Sequence, residues 1–143
     1  MRRTLVGLLS LSAAVGLGVA TGATASATPQ GAYGCTGSRV GTYNIKNTDG
    51  STWGSIYLYY SSASGGTNCA VNAAKKYAGQ RHLLEVRISS GSQADSDDGI
   101  YTEYAGPVKL THMDGKCVTL SGWVTAPGNG AAVGDQWTNV HCG

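Results

Sequence analysis

The sequence predicts an all-β fold, a single small antiparallel sandwich or barrel of about seven to eight short strands braced by two disulfides. Gly, Ser, Thr, Tyr and Val are abundant, and this composition favours strands and tight turns over helices. Several segments alternate apolar with polar residues at the period of two that is typical of a half-buried strand. Turn pairs such as Asp49-Gly50 and Gly65-Gly66 separate these segments at short intervals, as an antiparallel fold requires.

Alternation assigns the strands in order along the chain. It is clearest where Leu84, Val86 and Ile88 fall on one face of a segment, with Leu83, Glu85 and Arg87 on the other. A segment over 70–78 also suits a short helix, but Ala content alone is a weak helix signal, so we favour a strand there. We expect strands over residues 39–45, 56–60, 69–73, 83–88, 100–105, 108–113, 117–121 and 136–142, with 123–126 continuing the sheet.

Three connections are predicted from their turn residues. Residues 89–99 are polar and are expected to form a loop. Gly106-Pro107 is expected to separate two strands, since proline interrupts the hydrogen bonding of a strand. Asp114-Gly115 lies between two alternating runs, which is the strongest local signal for a two-residue hairpin.

The first 27 residues predict export. Arg2 and Arg3 precede an uncharged apolar run over 5–20, and Ala25-Ser26-Ala27 is a small-residue cleavage site. That run of about 16 residues is shorter than the roughly 20 that a spanning helix needs, so we expect a cleaved signal peptide and no membrane association afterwards. The general secretory and twin-arginine routes both remain open. Residues 28–143 then form a single secreted domain, extracellular or associated with the spore or cell surface.

Removing the signal peptide changes the charge of the chain. The full sequence has ten Lys and Arg and eight Asp and Glu, and the loss of Arg2 and Arg3 leaves eight of each. A neutral domain without a basic stripe is not typical of a nucleic-acid-binding protein. We therefore expect no nucleic-acid partner.

Four cysteines follow the cleavage site, and in an exported chain they predict a disulfide framework. Four cysteines allow three pairings, which the sequence alone does not distinguish. We favour Cys35 with Cys69 and Cys117 with Cys142, because consecutive strands of a meander are usually neighbours in space. No Cys-x-x-Cys motif suggests a redox role, so the expected role is structural.

Motifs for catalysis and metal binding are weak. His82, His112 and His141 are isolated, and neither His-Glu-x-x-His nor Gly-x-Ser-x-Gly occurs. We expect no catalytic residues, no enzymatic activity and no cofactor. A weak calcium candidate consists of three carboxylates before a glycine, although the spacing departs from an EF-hand and a solvated turn is the simpler interpretation. Its residues are Asp95, Asp97 and Asp98.

Aromatic side chains offer a candidate ligand surface. Tyr57 and Tyr59 alternate with Ile56 and Leu58, so one face of that strand presents two phenol rings, to which Trp53 adds an indole. Exposed rings beside small polar residues suit sugar stacking or a protein contact. The alternative is that the rings fill a core that lacks Phe, and for the tryptophans we favour that alternative.

Three segments near the C-terminus resemble the spore-associated protein A family, small secreted proteins of filamentous actinobacteria. They are residues 101–108 (Tyr-Thr-Glu-Tyr-Ala-Gly-Pro-Val), residues 115–118 (Gly-Lys-Cys-Val) and residues 139–143 (Asn-Val-His-Cys-Gly). The resemblance implies an exported protein associated with spores or aerial growth. It implies no catalytic residues, and only the cysteines carry over, as structural braces.

Three functional hypotheses follow. The first is a non-enzymatic protein that acts at the spore or cell surface, or extracellularly, through its folded surface. The second is an extracellular module that binds carbohydrate or cell wall through exposed Tyr and Trp. The third is a small secreted hydrolase or a protease inhibitor. The partner is unknown in each case, with a component of the spore or cell wall the expected class.

Overall fold

The computed structural model describes residues 31–143, and within them it confirms the all-β prediction. Eight strands form two four-stranded antiparallel sheets, with no helix in this part of the chain. The predicted signal peptide, 1–27, and its cleavage site lie outside the described residues. The strands are β1 (Ser38–Lys46), β2 (Thr52–Ser61), β3 (Thr67–Ala74), β4 (His82–Ser90), β5 (Gln93–Tyr101), β6 (Tyr104–Leu110), β7 (Val118–Thr125) and β8 (Ala132–Val140).

The chain changes sheets three times. Strands β1, β2 and β3 form a meander in the first sheet, whose order is β1-β2-β3-β6. Strands β4 and β5 form a hairpin in the second sheet, whose order is β5-β4-β7-β8. The chain returns to the first sheet with β6 and to the second with β7. Residues 31–143 contain no helix that is long and apolar enough to cross a membrane.

The main core lies between the two sheets. Strand β4 contributes Leu84, Val86 and Ile88 to it, as the sequence pattern predicts. Ile56 and Leu58 of β2 also lie in this core, on the first sheet. Every residue of β3 is buried, because the strand is covered on both faces. The strand expected over 69–73 is confirmed, and residues 75–78 of the ambiguous segment lie in the turn that follows β3.

The predicted loop over 89–99 is wrong, because most of it belongs to β5. Only residues 91 and 92 remain as a turn, after which β5 pairs with β4 in continuous register. Strand β5 is the edge of its sheet, and most of its side chains are exposed. An edge strand with one wet side accommodates the polar residues that make this segment look like a loop in the sequence.

The predicted break at Gly106-Pro107 is also wrong, because β6 runs through both residues. Strand β6 is an edge strand, so proline's missing N–H costs no bond to a second neighbour. Gly106 adopts a φ of 102°, and a Cβ there would lie 2.9 Å from the Ala70 carbonyl oxygen. Glycine therefore lets β6 bend while it stays paired with β3.

The hairpin predicted at Asp114-Gly115 does not form. The turn itself exists, since the Lys116 N–H donates to the Met113 carbonyl at 3.0 Å. The strands on its two sides belong to different sheets, however, because β6 pairs with β3 and β7 pairs with β4 and β8. Met113 is fully buried at this crossing. The sequence therefore predicts the turn at Asp114-Gly115 correctly but predicts the wrong partner for the strand on each side of it.

Candidate functional site

Both predicted disulfides are confirmed. Cys35 is bonded to Cys69, and Cys117 is bonded to Cys142. The first joins the segment before β1 to β3, and the second joins the residue before β7 to the end of the chain. No cysteine of the described part is free. All four cysteines are therefore structural.

The N-terminal segment covers the outer face of the first sheet. Cys35 packs there in a second small core with Tyr57, Tyr59 and Val71, and Tyr33 packs against its edge. Tyr57 is 9% exposed and Tyr59 5% exposed, so neither ring presents an open surface. Burial raises the pKa of the Tyr59 phenol above its usual value. The tyrosine surface that the sequence suggests is therefore buried, because residues 31–37 cover the outer face of the first sheet.

Trp53, the third residue of that candidate surface, is also interior. It is 3% exposed and belongs to the core between the sheets. Its ring meets Tyr77 edge to face, with 5.2 Å between the ring centroids, and the Lys76 ammonium lies 4.5 Å from the indole centroid. The interpretation that Trp53 fills the core, which the sequence favoured, fits its position.

Tyr57 is held by cations at its outer edge. The Lys75 ammonium donates to the Tyr57 hydroxyl at 2.6 Å, and the Arg39 guanidinium lies 4.8 Å from the ring centroid. Tyr33 stacks beside Tyr57 and meets Tyr104 edge to face. These contacts anchor the N-terminal segment and leave little of the Tyr57 ring for a ligand.

A cavity of about 340 Å³ opens beside this cluster, at the turn from β5 to β6. Pockets for small ligands begin at about 300 Å³, so the cavity lies at the lower end of that range. One carboxylate fixes its wall: Asp97 accepts from the Tyr101 hydroxyl at 2.8 Å and from the Gly106 N–H at 2.6 Å. The cavity is lined by Tyr101, Thr102, Glu103, Tyr104 and Gly106.

The three aspartates of the calcium candidate do not converge. Asp95 accepts from the Lys109 N–H at 2.8 Å, and the Asp97 oxygens are engaged at the cavity wall. Asp98 pairs with Glu85 of β4 and, by strand alternation, lies on the opposite face of β5 from Asp95 and Asp97. Among residues 31–143, no group of three or more His, Cys, Asp or Glu is placed to hold a metal ion. These aspartates are therefore not placed together as calcium ligands, and the simpler interpretation as a solvated turn is wrong, because all three belong to β5.

The three histidines lie in different surroundings. His82 is buried, with its Nδ1 2.7 Å from the Gln80 carbonyl oxygen. His112 is exposed, and His141 lies beside Tyr60 with 5.3 Å between ring centroids. The Tyr60 hydroxyl donates to Asp114, and this bond raises the pKa of the phenol.

The expectation that the tryptophans fill the core is wrong for Trp123, whose indole is exposed on the second sheet. Trp123 lies on the outer face of β7 and is 46% exposed. A Cβ on Gly134, its partner on β8, would overlap three atoms of the indole, so the ring lies flat over that glycine. Alternation could have found this residue, since Gly122 and Val124 on either side of it point into the core.

Trp123 has polar side chains beside it on the same face, whereas the adjacent row on the other side is apolar, with Leu83 opposite the exposed Ile100. Glu85 lies directly opposite it on β4, and Asp98 lies opposite Glu85 on β5. Arg87 follows in the next row, where it pairs with Ser121 of β7. A flat ring beside hydrogen-bonding groups is an arrangement on which a planar or sugar-like ligand can stack.

Comparison with family models, curated proteins and solved structures finds no match for this chain.

Proposed function

We propose that this chain is an exported protein that works without catalysis, outside the cell or on the cell or spore surface, through its folded surface. Both cysteine pairs of the described domain are oxidised, which suits an extracellular compartment. The signal-peptide pattern of 1–27 and the resemblance of the C-terminal segments to spore-associated protein A support the same location.

The N-terminus and mass of the protein recovered from producing cells test export. We expect mature protein that begins at Thr28 and whose four cysteines are all oxidised. Protein that keeps Met1, or that reacts with a thiol reagent before reduction, would contradict the proposal.

Carbohydrate binding is the second candidate, and the exposed Trp123 favours it. A sugar ring presents C–H groups on one face, which pack against an indole, while its hydroxyls reach the polar side chains around the ring. Trp123 offers such an indole, because Gly134 beneath it leaves the opposite ring face open. The residues that carry this function therefore differ from the tyrosines that the sequence suggested.

Retention on insoluble polysaccharides tests this candidate. We expect the wild-type domain to sediment with at least one wall-type glycan and Trp123→Ala to stay in the supernatant. Val40→Ala, which trims another exposed apolar side chain, on the first sheet, is the matched control and should sediment like wild type. Equal sedimentation of the two variants would rule out the Trp123 surface.

A further inference from the structure

The Trp123 surface contains a row of three side chains, two carboxylates and one indole. Asp98, Glu85 and Trp123 lie directly opposite one another on β5, β4 and β7. Neighbouring strands are about 4.8 Å apart, so the row spans about 10 Å between the backbones of β5 and β7, and the indole extends toward β8. Gly134 of β8 completes it beneath the indole. The row therefore combines an aromatic platform with two carboxylates at adjacent strand positions.

The two carboxylates make the row attractive to positive charge. Like charges directly opposite each other on neighbouring strands destabilise a sheet, yet β4 and β5 place Glu85 and Asp98 in that relation. The nearest cation on this face by register is Arg87, which occupies the next row with Ser96 and Ser121. A ligand cation beside the two carboxylates would relieve this repulsion.

We propose that this row binds a polysaccharide that carries free amino groups, such as a glucosamine polymer. One sugar ring stacks on the indole of Trp123, which lies over Gly134 of β8, about two strand spacings from Glu85. The polymer extends from there across β7, so that the ammonium group of the next sugar reaches Glu85 and the following sugar lies toward Asp98. This inference rests on the proposed carbohydrate binding and names the charge of its ligand. A neutral sugar would use the indole alone, and an acidic sugar would be repelled by the two carboxylates.

Two insoluble polymers that differ only at the amino group test the inference. Chitosan carries the free amine, and chitin carries the same sugar with the amine acetylated. We expect the mature domain to bind chitosan at least tenfold more tightly than chitin in a depletion assay. Glu85→Gln and Asp98→Asn should reduce that preference to less than threefold, and Trp123→Ala should abolish retention on both polymers.

Further variants separate the site from general charge and folding effects. Glu103→Gln removes the same charge from the turn after β5 and should keep the preference. Gly134→Ala displaces the indole without touching a charge and should weaken binding to both polymers. Each variant is compared by its thermal midpoint, so that a loss of binding in a folded variant is assigned to the surface.

The possible outcomes have distinct meanings. Equal binding of the wild type to chitosan and chitin, lost in Trp123→Ala, would leave carbohydrate binding intact and overturn the amino-group inference. Retention on neither polymer would overturn the amino-group inference, whereas carbohydrate binding itself would fail only if no other wall-type glycan retained the wild type. A loss of preference in Glu103→Gln as large as in Glu85→Gln would show that the preference for chitosan depends on the net charge of the protein and not on the position of Glu85. A wild-type dimer that Trp123→Ala converts to monomer in sedimentation would assign the face to self-association instead.

Discussion

One amide, that of Asn72, ties the two sheets together through the core. Its Nδ2 donates to the Glu85 carbonyl oxygen at 2.9 Å and to the Trp123 carbonyl oxygen at 3.1 Å. Two glycines make room for it, since a Cβ on Gly54 would lie 2.6 Å from the Asn72 Oδ1 and one on Gly122 would lie 3.2 Å from its Nδ2. Asn72 therefore supports, from inside, the backbone that carries the exposed row.

Replacing Asn72 tests this connection. Asn72→Ala removes two hydrogen bonds and leaves a cavity, so we expect the free energy of unfolding to fall by about 2–4 kcal/mol. Urea denaturation measures the loss. Gln136→Ala, a truncation of an exposed amide on β8, is the control and should change stability by less than about 0.5 kcal/mol. A loss as small in Asn72→Ala would contradict the role of the amide.

The buried phenols make the free energy of unfolding depend on pH in the alkaline range. Burial raises the pKa of Tyr59 above 10.0 in the folded protein, whereas in the unfolded chain the group titrates near 10. The stabilising contribution is therefore complete below about pH 10 and is lost as the pH rises through the higher, folded value. Tyr43 adds to the same trend, since burial also raises the pKa of its phenol.

The measurement is the free energy of unfolding between about pH 9 and 11. We expect it to decline over this interval, and to decline less steeply in Tyr59→Phe, which cannot ionise. The same slope in Tyr59→Phe and wild type would show that the buried phenol does not contribute to the decline.

At the level of elements, the carboxylates of β5 close one side of the sandwich. Strands β5 and β6 are edges of different sheets, and Asp95 and Asp97 of β5 accept the N–H groups of Lys109 and Gly106 on β6. Side-chain oxygens thus satisfy backbone donors that an edge would otherwise present to another chain. Asp95 and Asp97, two of the three aspartates of the calcium candidate, therefore connect the two sheets by hydrogen bonds.

Substitutions along β5 separate its two faces. Asp97→Ala removes two hydrogen bonds to a partly buried carboxylate, and we expect a loss of about 1–3 kcal/mol. Asp98→Ala, one residue along on the outer face, should leave stability within about 0.5 kcal/mol of wild type. Thermal or urea unfolding of the pair decides the question. A larger loss in Asp98→Ala than in Asp97→Ala would contradict the assignment.

The elements also show how far the sequence predicts this molecule. Strand β4 is clear because one of its faces is core and the other is wet, so its residues alternate. Most of strand β5 is not predicted, because an edge strand needs few apolar residues. The hairpin at Asp114-Gly115 is predicted wrongly, because a turn fixes the local geometry of the chain but does not determine which strands pair. Trp53, Tyr57 and Tyr59 are buried by distant segments, which alternation within β2 does not reveal.

For the whole molecule, the two disulfides hold both ends of the described chain to the sandwich. The Cys35–Cys69 bridge closes a sequence separation of 34 residues, and the Cys117–Cys142 bridge closes one of 25. In the chain-entropy model each contributes about 3.5–4 kcal/mol, which is a large part of the net stability of a domain of this size. The N-terminal bridge has a further role, because it keeps Cys35 and its neighbours over Tyr57 and Tyr59.

Replacing each bridge by a serine pair distinguishes these roles. Both double variants should lose about 2–5 kcal/mol of unfolding free energy. Only Cys35→Ser with Cys69→Ser should also expose the tyrosines, detected as faster nitration of Tyr57 and Tyr59 under native conditions. Unchanged nitration in a folded variant would show that the N-terminal segment stays in place without its disulfide.

We propose that this protein works outside the cell through the Trp123 face of its second sheet. Fractionating producing cells into medium, wall and spores, with wild type and Trp123→Ala expressed at equal levels, tests it most directly. We expect wild type to be retained with the wall or spores and Trp123→Ala to be released into the medium while remaining folded. Identical distribution of the two proteins would contradict the claim.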